Sequence, residues 1–239
     1  MWRGVRYPIA RPRPLSLVFY LTAAVLLVLS HAVPSFPSIR DRLIDRLGRW
    51  GFYLAYSAVS LAALTAFVIG FRTLDSAGWL FSPLPGARLA AVVLMPIAIL
   101  LIVARLTTPA GIAGNVRAPT GIFRISRHPG SVGLLLWSGL HVLATGDGRR
   151  VVLFGAMATI ALFAIAKNEW LLRRSDTPAA RESLHGTSIL PGFAIARRRQ
   201  HWPRGEIGWR RPALAVAIYA AILWAHPMLF GVDPAPWLR

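Results

Sequence analysis

Apolar residues along this chain gather into six continuous runs, which are separated by polar stretches rich in proline and glycine. Each run is about 16–21 residues long, against the roughly 20 residues with which a helix crosses the hydrocarbon core of a bilayer. The runs are continuous rather than alternating, which argues against a membrane β-barrel. The pattern predicts an all-α, polytopic membrane bundle of about six transmembrane helices, at residues 15–33, 50–70, 88–104, 129–145, 151–166 and 212–230.

We expect residues 1–239 to form a single integral membrane domain. Residues 1–14 read as a basic N-terminal extension, and residues 167–211 as a polar, arginine-rich loop before the last span. Residues 34–49 place aliphatic side chains on one helical face and arginines on the rest, which predicts an interfacial helix. A solvated cytoplasmic turn is the alternative for these residues.

The overall composition fits a membrane protein. The chain is 55% hydrophobic and 15% charged, with a mean hydropathy of +0.53, whereas a soluble domain carries about a quarter charged residues. It contains no cysteine. This excludes disulfides, iron–sulfur clusters, thiolate-ligated haem and covalently attached c-type haem.

The net charge is +18, and almost all of the positive charge is arginine, since Lys167 is the only lysine. A strongly basic chain is also typical of nucleic-acid-binding proteins. Here the arginines lie between apolar runs, where they interact with anionic headgroups and set the topology. We therefore expect a lipid bilayer with anionic headgroups as a partner, and no nucleic acid.

The distribution of basic residues also orients the chain. Eighteen of the 27 lysines and arginines fall in residues 34–49, 105–128 and 167–211. The positive-inside rule then places these segments in the cytoplasm and both termini outside. The four arginines in residues 1–14 favour the opposite orientation.

The N-terminal stretch also has features of a signal peptide. A basic lead and an apolar core precede Ser30-His31-Ala32, which has the small-x-small pattern of a cleavage site. Cleavage after Ala32 would remove His31. The apolar core is long and five further runs follow it, which favours a retained span.

The histidines are the candidate ligands of this chain. Four of them lie in or beside apolar runs, namely His31, His128, His141 and His226, whereas His185 and His201 lie in the polar loop and are expected to be solvated. A lone histidine in a membrane helix is usually a hydrogen-bonded structural residue. Several of them in an acid-poor chain suit haem iron better than magnesium or calcium.

His128 immediately precedes the apolar run that begins at Pro129, and Arg124 and Arg127 lie close to it in the sequence. A helix N-terminus beside two guanidinium groups favours an anion. A haem propionate and a phospholipid headgroup both fit this description. The alternative is that the two arginines only anchor the helix at the membrane interface.

Four segments, in order along the chain, resemble proteins of the NnrU family. They are "SHAVPSFPSIRDRL" at 30–43, "FRISRHPGSVGLLLWSGLHVLATGD" at 123–147, "GTSILPGFAI" at 186–195 and "EIGW…YAAILWAHPMLFGV" at 206–232. NnrU proteins are in turn similar to the 15-cis-zeta-carotene isomerases, which are membrane proteins of plants and cyanobacteria that bind haem b. The ordered set of segments is specific, whereas "RHP" alone is not.

The resemblance implies a haem b site with His31 and His141 as the iron ligands. It also implies that His128 lies near the haem without binding the iron. Arg124 and Arg127, which precede His128 closely in the sequence, are then candidate cofactor-binding residues through a haem propionate. The spacing of the runs raises an objection, since His31 and His141 lie near the C-terminal ends of antiparallel spans and would differ in depth by about 20 Å. The pairings of His31 with His128, and of His141 with His226, therefore stay open.

The family association further implies a multi-pass protein of the cell inner membrane that is accessory to nitrite and nitric oxide metabolism in denitrification. Components of nitrogen-oxide reductases would then be its partners. The resemblance by itself does not imply that the protein catalyses a reaction. In addition, no nucleophile or acid–base pair stands out in the sequence.

Three alternatives remain at this point. The first is a haem-dependent cis–trans isomerase of a polyene lipid such as a carotenoid, and the second is a scaffold whose histidines only form interhelical hydrogen bonds. The third is a methyltransferase similar to the isoprenylcysteine-type enzymes. Their RHP motif usually continues as RHPxY, with an aromatic residue two positions after the proline. In this chain that position is Ser131, and Glu169 preceded by Asn168 replaces the acidic pair of those enzymes, which counts against the third alternative.

Overall fold

A computed structural model describes residues 14–74, 77–109 and 118–238. Most of the expected basic N-terminal extension, residues 1–13, lies outside the described residues. Within the described ranges the regular structure is helical, apart from an isolated β-bridge between Trp79 and Asp147. The α-helices are α1 (Pro14–Ala32), α2 (Pro37–Thr73), α3 (Ala87–Leu106), α4 (Ile122–Ile125), α5 (Pro129–Thr145), α6 (Gly148–Arg173), α7 (Pro178–Gly186), α8 (Phe193–Ala196) and α9 (Arg210–Phe230).

Each of the six predicted apolar runs corresponds to a helix. In the described part of the chain, α1, α2, α3, α6 and α9 are long and apolar enough to cross a membrane. The remaining predicted run, 129–145, corresponds to α5. This helix has 17 residues, slightly fewer than the roughly 20 that span a bilayer core. The prediction of an all-α, polytopic membrane bundle is confirmed.

The chain packs into two compact units. The first consists of Met1–Pro83 and Thr145–Ile160, and the second of Leu84–Ala144 and Ala161–Arg239. Helix α6 contributes its first half to one unit and its second half to the other. That residues 1–239 form a single integral membrane domain stays a prediction.

The first unit is built around Tyr20 of α1, which is fully buried. Its ring stacks on Phe67 of α2 with the ring centres 5.0 Å apart, and its hydroxyl donates a 2.8 Å hydrogen bond to the carbonyl of Arg149. A Cβ atom at Gly70 would lie 3.1 Å from the Tyr20 backbone. Gly70 therefore allows α1 and α2 to approach closely, as small residues do between membrane helices.

The segment predicted to be an interfacial helix and the second span are both helical, and they meet at a kink within α2. Helix α2 runs from Pro37 to Thr73, with a kink at Gly48, whose φ of 70° is in the left-handed region that glycine adopts at little cost. The residues before Gly48 are thus helical, and the alternative of a solvated turn is wrong. The kink lies close to the boundary that the sequence analysis places between residues 34–49 and the span 50–70.

The second unit packs α3 against α9 and against α5. Ile99 and Val103 of α3 contact Ala215 of α9, and a Cβ atom at Gly133 of α5 would lie only 2.7 Å from the carbonyl oxygen of Ala98. The stretch 167–211, expected to be a polar loop, contains the last turns of α6 together with α7 and α8. These short helices place the polar groups that are described next.

Candidate functional site

Two segments that are far apart in the sequence lie side by side before α5. The backbone N–H of Arg127 donates to the carbonyl of Ser188 at 2.7 Å, and that of Gly192 donates to Ile125 at 2.8 Å. The hydroxyl of Ser126, which is fully buried, donates to the carbonyl of Ile189 at 2.8 Å. The "RISRHP" and "GTSILPGFAI" stretches are therefore parts of one structure, which we call the RHP corner (residues 124–129 and 186–192).

Arg127 is the centre of the RHP corner. Its Nη1 lies 2.7 Å from both carboxylate oxygens of Glu169, and its Nε donates to the hydroxyl of Thr187 at 3.0 Å. Its Nη2 donates to the carbonyls of Leu184 and Thr187 at 3.0 and 2.8 Å. A guanidinium has five N–H donors, and these bonds use all of them. Arg127 thus joins the start of α5, the end of α6 and the end of α7.

His128 binds the same carboxylate from the other side. Its Nε2 lies 2.7 Å from Oε1 of Glu169. The carboxylate already accepts from Arg127, so the histidine nitrogen is the donor in this bond. Burial lowers the pKa of His128 below its ordinary value, and the hydrogen bond to Glu169 only partly offsets this effect. His128 is therefore neutral at pH 7, with its proton on Nε2.

Arg124 forms a second, more exposed ion pair in the same region. Its Nε lies 3.1 Å from Oε1 of Glu206, and its Nη1 donates to the side-chain oxygen of Gln200 at 2.7 Å. Glu206 also accepts the backbone N–H of Gly121 at 2.6 Å. This backbone hydrogen bond, followed by those with Arg124, holds the pKa of Glu206 below its usual range. The "EIGW" stretch is thereby attached to the RHP corner.

The anionic partners that the structure gives to Arg127 and Arg124 are the carboxylates of Glu169 and Glu206. The sequence analysis expected an anion at this place but looked for a propionate or a headgroup. A signal for these partners was present in the sequence, because the whole chain has only nine aspartates and glutamates and Glu169 lies just after the apolar run 151–166. That Arg124, Arg127 and His128 bind a cofactor stays a prediction.

His141 lies near the other end of α5, in the second unit. Its Nδ1 is 2.7 Å from the carbonyl oxygen of Trp137, and the centres of the two rings are 4.9 Å apart. His226 of α9 belongs to the same unit as His141. The Nδ1 of His226 is 2.7 Å from the carbonyl oxygen of Val232. The second unit thus contains both His141 and His226, which form one of the two pairings that the sequence analysis left open.

His31 lies in the first unit, near the end of α1. Its Nδ1 is 2.9 Å from the carbonyl oxygen of Leu27 and 3.1 Å from the hydroxyl of Ser30. Its ring meets Tyr56 of α2 edge-on, with the centres 6.3 Å apart. His31 and His141 belong to different compact units, so their pairing as ligands of one iron stays a prediction. His185 and His201 are exposed, as expected.

The donor chemistry of the membrane histidines suits haem. A carbonyl oxygen can only accept, so Nδ1 of His31, His141 and His226 is the donor in each of these bonds, and Nε2 is the ring nitrogen that faces away from them. Histidines that bind metals commonly have this arrangement. The described residues contain no group of three or more His, Asp or Glu side chains that could hold a metal ion. A haem needs only one or two axial ligands from the protein.

Comparisons with known proteins place the chain in a family. The family model described as NnrU protein matches residues 19–234. The 15-cis-zeta-carotene isomerase, chloroplastic, of Zea mays is 29% identical over 122 residues, which cover 49% of this chain and 33% of the isomerase. The chain thus spans about a third of the length of this relative, and no solved structure matches it. Because the family model covers most of the chain, the resemblance seen in the sequence is confirmed and the protein belongs to the NnrU family.

Proposed function

We propose that this NnrU-family membrane protein binds haem b and isomerises a double bond of a polyene lipid such as a carotenoid. The support for the reaction is the similarity to 15-cis-zeta-carotene isomerase, which covers 49% of the chain. Rotation about a carbon–carbon double bond involves no net transfer of a proton. A route in which the double bond is weakened and then rotates uses no nucleophile and no acid–base pair, so this reaction is compatible with the sequence motifs.

The observation that carries the proposal is the hydrogen bond between Nδ1 of His141 and the carbonyl of Trp137. It fixes the ring orientation and presents Nε2 as the ligand nitrogen, as second-shell hydrogen bonds do in metal sites. The nearby Trp137 ring adds an apolar surface beside the histidine. His128 differs, because its Nε2 is bound to Glu169, and it is not an iron ligand in this proposal.

Two histidines are candidates for holding the haem together with His141. The family resemblance assigns His31, whereas His226 belongs to the same compact unit as His141. Both candidates have Nδ1 directed at a backbone carbonyl. Comparing the spectra of the His31→Ala and His226→Ala variants therefore identifies the partner.

Haem iron would supply a Lewis-acidic or one-electron centre that weakens a conjugated double bond. The chain contributes the rest, namely histidines that hold the iron and apolar helices that receive the hydrocarbon. In this proposal Arg127 and Arg124 act through Glu169 and Glu206, because those ion pairs hold the RHP corner at the start of α5. The corner thereby positions the helix that carries His141.

An accessory role in nitrite and nitric oxide metabolism is the second candidate. Its support is the family name, and it brings with it the cell inner membrane as location and nitrogen-oxide reductase components as partners. Haem suits this role as well, since nitric oxide binds ferrous iron that has an open or displaceable axial position. This role and its partners stay predictions.

The experiment measures haem and isomerisation with one set of proteins. The full chain is expressed in a bacterium that accumulates 15-cis-zeta-carotene and is then purified in mild detergent. We expect a Soret band, a b-type pyridine haemochrome and an increased ratio of trans to 15-cis polyene in the cell extract. His141→Ala should lose both, while His185→Ala, which replaces an exposed histidine, should keep both.

Other outcomes assign the protein differently. A protein that contains haem but leaves the isomer ratio unchanged, together with impaired nitrite reduction in a deletion strain, would replace the isomerase with the accessory role. A protein purified without haem under conditions that supply it would contradict both haem-based functions. The scaffold and methyltransferase alternatives would then be tested next.

A further inference from the structure

A cavity of about 270 Å³ opens beside the RHP corner, between the end of α6 and the segment that follows α7. Its polar wall contains Arg127, Glu169, Arg173 and Arg199. Its apolar wall contains Leu190 and Phe193. Three arginines face one glutamate, so the cavity carries a net positive charge.

The lining arginines differ in how many donors they offer. Arg127 uses all of its N–H groups within the protein, and its charge compensates that of Glu169, which also accepts a hydrogen bond from His128. Arg173, whose side chain is 69% exposed, meets Glu169 at 3.5 Å, and the exposed Arg199 donates through Nη1 to the carbonyl of His185 at 3.1 Å. Each guanidinium has five donors, so Arg173 and Arg199 can bind an anion together.

Apolar side chains beside the arginines indicate a ligand that has both an anionic and a hydrocarbon part. Leu190 and Phe193 are 65% and 41% exposed, although they lie next to charged residues. The guanidinium of Arg197 lies over the Phe193 ring at 5.3 Å, and that of Arg174 over the Trp170 ring at 4.1 Å. Aromatic rings interleaved with arginines at the end of a transmembrane helix are typical of the headgroup region of a membrane.

We propose that this cavity binds an anionic phospholipid. Arg173 and Arg199 donate to the phosphate oxygens, and Leu190 and Phe193 pack against the upper part of the acyl chains. The bound headgroup joins the end of α6 to the 187–199 segment, which are the same two elements that Arg127 holds together. Lipid binding therefore stabilises the RHP corner. This proposal does not depend on haem or on isomerisation.

The experiment measures thermal unfolding of the purified full chain in detergent. Phosphatidylglycerol, phosphatidylcholine or inorganic phosphate is titrated into separate samples. We expect phosphatidylglycerol to raise Tm in a saturable way, phosphatidylcholine to raise it much less, and inorganic phosphate to leave it unchanged. Arg173→Gln/Arg199→Gln should bind phosphatidylglycerol about tenfold more weakly or worse, because two charge-assisted contacts are lost.

The control variant is Arg181→Gln/Arg204→Gln. It removes two exposed arginines of the same 167–211 stretch that do not line the cavity, so it changes the net charge equally and should keep the wild-type affinity. Because Arg173→Gln also removes an ion pair with Glu169, Arg199→Gln is tested alone as well. It should show a smaller loss of phosphatidylglycerol affinity than the double variant. Phospholipid that co-purifies with each variant is quantified by mass spectrometry as a second readout.

Three results would overturn the proposal. Equal responses to phosphatidylglycerol and phosphatidylcholine would show that headgroup charge is not recognised. An equal loss in the control variant would attribute binding to net charge alone. A rise in Tm with inorganic phosphate as large as that with phosphatidylglycerol would assign the cavity to a free anion instead of a lipid.

Discussion

Nη1 of Arg127 lies 2.7 Å from each carboxylate oxygen of Glu169, and this ion pair joins the residues before α5 to the end of α6. The two side chains are only 9% and 11% exposed. Removing one member of a buried pair leaves the other charge without compensation. The RHP corner should therefore be more sensitive to single substitutions than the many arginines on the surface of the protein.

The first prediction concerns Glu169→Gln. The variant keeps the size of the side chain but removes the negative charge that Arg127 and His128 share. We expect a loss of about 3–5 kcal/mol in the free energy of unfolding, measured by denaturant or thermal unfolding in detergent. Glu182→Gln is the matched control, since Glu182 is an exposed residue of α7, and it should change stability by less than about 0.5 kcal/mol. Equal effects of the two substitutions would show that the buried ion pair contributes no more to the free energy of unfolding than an exposed carboxylate.

The second prediction concerns pH and His128. The unfolded chain protonates this histidine at its ordinary pKa of about 6.5, whereas burial lowers the pKa of His128 in the folded protein. The unfolded state therefore binds more protons between these two values. The contribution of His128 to stability is complete above about pH 6.5 and decreases as the pH falls towards the folded-state pKa.

His128→Gln should flatten this part of the stability curve, which is measured as Tm against pH between about 7.5 and 5. His185→Gln, which changes an exposed histidine, should leave the curve of the wild type unchanged. A wild-type Tm that stays constant or rises on acidification through this range would contradict the assignment of a neutral, buried His128.

The helices could be predicted from sequence because length and continuous apolarity determine them locally. The predicted run 129–145 coincides with α5, and the other runs differ from their helices mainly at the ends. The partners of Arg127 and Arg124 could not be predicted in this way. Glu169 and Glu206 are 42 and 82 residues away in the sequence, and only the packing of the helices brings each carboxylate to its arginine.

The stretch 167–211 shows a local signal that the prediction missed. Its polarity and its prolines indicated a loop, yet Thr177-Pro178 begins α7. The hydroxyl of Thr177 accepts the N–H of Ala180 at 3.3 Å, and proline at the first helical position is favourable. Polarity identifies residues that avoid the hydrocarbon core, but it does not distinguish a loop from a short helix at the interface.

The third prediction concerns topology. The basic residues place the segments that contain Arg46 and Arg197 in the cytoplasm. Reporter fusions after these residues should have cytoplasmic activity, and a fusion after Pro83, between α2 and α3, should be exported. The matching fusion after Arg117 falls outside the described residues, and it should also be cytoplasmic. An exported reporter at Arg46 or Arg197 would show that the orientation or the number of spans is wrong.

The fourth prediction tests the packing that positions α5. A Cβ atom at Gly133 would lie 2.7 Å from the carbonyl oxygen of Ala98 and 2.9 Å from Cγ1 of Ile102, whereas a Cβ atom at Gly139 would meet nothing within 4 Å. Gly133→Ala must therefore separate α3 from α5, and such overpacking costs about 1–3 kcal/mol. Gly139→Ala adds the same methyl group to the same helix without a clash. Thermal unfolding should show a lower Tm for the first variant and no decrease for the second.

The same two variants connect packing with the proposed cofactor site. Gly133 and His141 both lie in α5, so a displacement of this helix moves His141. The hydrogen bond between His141 and Trp137 lies within the helix and is retained. We expect Gly133→Ala to shift or broaden the Soret band, measured on protein that remains folded at low temperature, and Gly139→Ala to leave it unchanged. A normal spectrum in Gly133→Ala at a clearly lowered Tm would mean that the position of α5 against α3 does not determine the geometry of the haem site.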